Sequence, residues 1–146
     1  MRVRAAVLLV LLFIGIGLLL TRCPANRDGM PGQLAQAMEE TTGAARSGAL
    51  ALDHWTQRRS TAQLTSVQLA DARDEVVKAY KGIADLRAED PVDLERQRML
   101  TSSMTAIVGQ LNAAAATVRG ITTEPSAGKV RGELIASADA LESGYR

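Results

Sequence analysis

From Leu100 to Ile121 the apolar residues fall at alternating steps of four and three: Leu100, Met104, Ile107, Leu111, Ala114, Val118 and Ile121. That step keeps one stripe of an α-helix facing one way, whereas a half-buried strand needs a step of two. A striped helix must cover its apolar side against other elements. The rest of the chain offers more of the same. Leu34, Met38, Thr41, Ala45, Gly48, Leu52 and Trp55 share one helix face, small in its middle and ending in an indole. Ala62, Leu69, Val76 and Ile83 recur every seven residues, assisted by Ala72, Tyr80 and Leu86, and Val130, Leu134, Ala138 and Leu141 share a last face. No strand pattern competes.

The boundaries have their own chemistry. In Glu89-Asp90-Pro91 the aspartate is a candidate N-cap, and proline at the first helical position loses only an N–H that has no helical partner. Gly120 is a candidate terminator of that helix, and Thr122, Thr123 and Pro125 form the next connection. Ser60 with Gln63 has the spacing of a capping box, so a break or bend is expected near 58–61. The heptad seams also suit one continuous helix over 33–59 and 60–88. The last helix is expected over about 126–142, weakened by Gly128 and Gly132 at ~1 kcal/mol each relative to Ala. Asp74 and Lys78 are spaced for an exposed pair worth ~0.3–0.5 kcal/mol.

The N-terminal segment is of another kind. Ala5 to Leu20 are sixteen consecutive apolar or glycine residues, preceded by Arg2 and Arg4. A spanning helix needs ~20 apolar residues, with roughly 17 at the short end, and Val3 and Thr21 bring the run near that limit. The expected organisation is a cytoplasmic stub at 1–4, a transmembrane signal-anchor helix at 5–22, a Pro- and Gly-containing linker at 23–32 and an extracytoplasmic bundle at 33–146. The basic flank favours the N-terminus inside. Two alternatives stay open: a cleaved export signal, and a lipoprotein acylated at Cys23. Arg22 stands where a lipid signal wants a small residue, and it suits a cleavage site no better.

Composition narrows the functions. Residues 24–146 hold 14 Lys and Arg against 16 Asp and Glu, a net charge of −2, with no basic stripe. Nucleic acid is therefore not an expected partner. Leu, Ile and Val make up only 22 of those 123 residues, and Ala fills the gap with a strong helix former. Over the whole chain Arg outnumbers Lys 14 to 3, as in GC-rich bacterial coding. Cys23 is the only cysteine, so neither an internal disulfide nor a paired-cysteine zinc site is available.

Catalytic groups are scarce. His54 is the only histidine, and its neighbour Asp53 is poorly placed to orient it, because adjacent helical residues diverge. Glu39 with Glu40, and Asp71 with Asp74 and Glu75, read as solvated faces; an acid–base or metal role requires Glu39 or Asp74 to converge with His54 in a cleft. No catalytic, cofactor-binding or metal residue is assigned. Trp55, Tyr80 and Met104 are the candidates for an apolar pocket, against the simpler reading as bundle core.

The expected fold is all-α, an N-terminal transmembrane helix followed by an up-and-down bundle of three to four helices. The expected function is non-enzymatic: a single-pass envelope protein, held in the bilayer through 5–22, whose bundle is an interaction or scaffold module for a protein partner or homo-oligomer. Small exposed stretches such as Ala113 to Ala116 would admit a partner helix closely. The alternative is an extracytoplasmic ligand-sensing or carrier domain.

Overall fold

The computed structural model describes residues 29–145, and these form four α-helices and no strand. They are α1 (Met30–Thr56), α2 (Ala62–Ala84), α3 (Pro91–Val118) and α4 (Ala127–Tyr145). The expected stub and membrane helix, the start of the linker and Cys23 lie outside the described residues. Among the described residues no helix is long and apolar enough to cross a membrane.

Sequence neighbours pack side by side, and α4 returns to α1, which closes an up-and-down ring. One diagonal is short: the α1 backbone also approaches that of α3, while the α2 and α4 backbones stay further apart. The cause is the small face of α1, where Ala37, Ala44, Ala45, Ala49 and Ala51 are buried along with Gly48. At Gly48 an added Cβ would stand 2.5 Å from Leu111 Cδ2 on α3, so hydrogen is what lets the two helices close up. Leu34, Leu52, Leu69, Val76, Leu100, Met104, Ile107, Leu111, Val130 and Leu134 fill the core. Buried Thr41 satisfies its hydroxyl on the Ala37 carbonyl at 2.7 Å.

Several boundaries moved from their sequence positions. Helix α1 begins at Met30, inside the expected linker, because Pro31 fits a first helical turn and Gly29 at φ 89° turns the chain into it. The break after α1 is real, but its cap is Thr61, whose side chain accepts from Leu64 N at 3.2 Å. Ser60 instead bonds Thr65 Oγ1 at 2.9 Å, so the expected Ser60–Gln63 box does not form. Helix α2 stops at Ala84 rather than 88. Asp90 and Pro91 open α3 as the sequence indicates, with Asp90 Oδ1 accepting from Val92 N at 2.7 Å.

Both α1 and α3 end in the same hydrogen-bonded turn. In α1, Arg59 N donates to His54 O and Arg58 N to Trp55 O; in α3, Ile121 N donates to Ala116 O and Gly120 N to Thr117 O. Each turn needs a left-handed residue, which is Gly120 at φ 70° in one and Arg58 at φ 59° in the other. The turn carries Ile121 out of the helix before its stripe is completed, and it is 70% exposed. Only six of the seven stripe positions belong to the core. Helix α4 runs past 142 to Tyr145; Gly128 and Gly132 face open space, and all four of its seam residues are buried.

Candidate functional site

The titratable residues singled out in the sequence fall in several separate places. Asp53 accepts from Gln57 Nε2 at 2.7 Å and pairs with Arg131 of α4 at 3.2 Å, so it braces two helices. His54 lies instead in a shallow groove between α1 and α2, lined with Ser47, Leu50, Gln68, Asp71 and Glu75. No hydrogen bond or ion pair among the described residues joins it to either carboxylate. Further along the same two helices, Glu39 and Glu40 meet Glu75 and Lys78 around an open groove of about 430 Å³. Asp74 is in neither; it pairs with its neighbour Arg73 at 2.7 Å, and the expected Asp74–Lys78 pair is absent. The sequence missed the meeting of Glu39 and Glu40 with Glu75, because a separation of 35 residues carries no local periodic signal. Among the described residues no group of three or more His, Cys, Asp and Glu is placed to hold a metal ion.

The apolar candidates separate. Met104 is fully buried in the core, Trp55 is half-buried against it, and Tyr80 is 38% exposed. Tyr80 and Met104 share one groove of about 330 Å³ between α2 and α3, with Val77, Lys81, Thr105 and Val108. Trp55 is not part of that lining. It sits near the C-terminal end of α1 and Tyr80 near that of the antiparallel α2, at opposite ends of the bundle.

The two sides of the bundle differ in what holds them. On one side Arg46 Nη2 of α1 donates to Asp139 at 2.9 Å and Glu142 at 2.7 Å on α4. Those bonds, Glu142 first, raise the guanidinium pKa, so the group stays charged. Tyr145 adds a hydroxyl donated to the Pro31 carbonyl at 3.3 Å, under the Arg96 guanidinium 5.2 Å from its ring. On the other side Gln97 of α3, 9% exposed, donates its amide to Ile83 O at 2.6 Å and Leu86 O at 2.9 Å. These are carbonyls at and beyond the last turn of α2, where helical partners run out.

The described surface thus offers open grooves and exposed apolar side chains around a closed core. Compared with protein-family models, with curated proteins and with solved structures, the chain shows no significant match.

Proposed function

We propose that this chain is a non-enzymatic, membrane-anchored envelope protein whose helical bundle is an interaction or scaffold module. The bilayer is entered through residues 5–22, with the N-terminus cytoplasmic and the bundle extracytoplasmic. The observation that supports the module is apolar surface left over after the core is filled. Leu50, Leu64, Val67, Val92 and Leu94 are exposed on a bundle whose own seams are buried. Scattered single apolar residues are ordinary, but Val77, Tyr80 and Val108 also line an open groove between α2 and α3, the kind of apolar surface a partner covers. The anchor rests on the run Ala5–Leu20.

A carrier reading draws on one feature, the apolar groove at Val77, Tyr80, Met104 and Val108. Its openness fits a surface contact better than enclosure of a small ligand, whose sites bury most of the molecule they hold.

Crosslinking of the full chain in its own membranes tests the proposal. The expected result is a discrete higher-mass species that resists alkaline extraction together with the chain. Monomer alone, or release of the chain by alkaline carbonate, overturns the module or the anchor respectively.

A further inference from the structure

We infer that the outer side of the α1–α2 pair is a docking trough for a basic helix of another protein. The inference rests on the interaction-module reading and deepens it by naming a surface and the chemistry of its partner.

The two helices meet through alanine. Ala37, Ala44 and Ala51 recur every seven residues on α1, and Ala72 and Ala79 do so on α2. All five are buried, yet they form the floor of three open grooves of about 280, 430 and 300 Å³. The first two grooves share Glu40 and Lys78, and the last two share Ser47 and Glu75, so they run together as one trough. From Gln33 to His54 along α1 it is about 30 Å long at 1.5 Å per residue. Gly43 and Gly82 stand on its two walls, where an added Cβ would meet nothing.

The other sides of the bundle are bridged over. Arg46 and Arg131 tie α1 to α4, and Gln97 ties α3 to α2. Gln110 Nε2 of α3 donates to Ser137 Oγ of α4 at 2.9 Å. Among the described residues no side-chain hydrogen bond or ion pair crosses from α1 to α2. A long trough with a small-residue floor and unclosed walls has the shape that a further helix fills. Small side chains on both sides bring helix axes to the near end of their usual separation, about 8 Å.

Charge selects the occupant. Glu39, Glu40, Asp71 and Glu75 line the trough, against one lysine among the described residues, Lys78. Carboxylates gathered along a concave surface attract cations to it. A helix with Ala-sized residues along its contact edge and Lys or Arg on both flanks answers the floor and the walls together. A second copy is not what these carboxylates select, because residues 24–146 are themselves net negative.

The test uses the full chain in lipid nanodiscs and a fluorescent peptide of three heptads, Ala throughout except for Lys at the fifth and seventh places. That helix is ~31 Å long, the length of the trough. In anisotropy titrations it is expected to bind about tenfold more tightly than its Glu-for-Lys counterpart, and less so in high salt. Gly43→Arg adds bulk and positive charge to the trough, and is expected to keep the parent's thermal unfolding while weakening the Lys peptide about tenfold. Gly132→Arg, on α4 and also facing open space, should leave that binding unchanged. Equal binding of the two peptides, no saturable binding of the Lys peptide, or an equal loss in Gly132→Arg overturns the inference. In native membranes a photo-crosslinking residue placed at Gly82 is expected to join a Lys- or Arg-rich segment of another protein. Joining to lipid or to a second copy overturns the inference as well. Crosslinks to protein from Gly109 on α3 and none from Gly82 overturn the trough and leave the module standing. Crosslinks from neither position remove both.

Discussion

The α1–α4 side and the α2–α3 side bury comparable seams, yet they are finished in opposite ways. Between α1 and α4 the contacts at the rim are charged and wet: exposed Arg46 with Asp139 and Glu142, and Arg131, its side chain 44% exposed, with half-buried Asp53. Between α2 and α3 the fastening is an uncharged amide, Gln97, shut away from water against two backbone carbonyls. Exposed ion pairs exchange one solvated state for another and contribute little, whereas a buried amide cannot be removed without stranding its acceptors. The charged rim therefore keeps its side soluble more than it holds it together. The other side is fixed from within.

The comparison breaks most readily at Gln97. Gln97→Met keeps the volume and removes both donors, and is expected to cost about 1–3 kcal/mol in urea unfolding. A loss below about 0.5 kcal/mol would show that water serves those carbonyls equally well. A smaller effect of the opposite sign is expected in the turn that joins the two sides. Arg58 holds a left-handed conformation that glycine adopts freely, so Arg58→Gly should gain about 0.5–1 kcal/mol by the same measurement. No gain would mean that the Arg58 side chain offsets its own backbone strain. The smallest effect is predicted on the charged rim, where Arg46→Ala should cost at most ~1 kcal/mol, and less in high salt. A loss as large as that of Gln97→Met, persisting in high salt, would reverse the assignment of which side is fastened.

How much of this could be read in advance varied with the range of the interaction. The four helices, the break after α1 and the Asp90–Pro91 start were legible because stripes, caps and prolines act within a few residues. Misplaced details all involved choices between near-equal local options. Thr61 won the cap from Ser60 when Ser60 found Thr65 Oγ1, and Pro31 served as a helix start although it also suits a linker. Ile121 fitted the period and still left the core, since a stripe cannot report that Gly120 has already turned the chain. At the candidate site the sequence named Tyr80 and Met104, which do share a groove, but joined to them a Trp55 that packs at the far end of the bundle.

What the sequence determined by itself was the all-helical class, a bundle of three to four helices and the scarcity of catalytic groups, because each depends on residue type and spacing along the chain. What only the tertiary structure decided was which faces meet. The short α1–α3 diagonal over Gly48, the Glu39–Glu40–Glu75–Lys78 groove and the Gln97 clasp each join residues many turns apart. Contact and exposure belong to the folded chain and not to its order of residues.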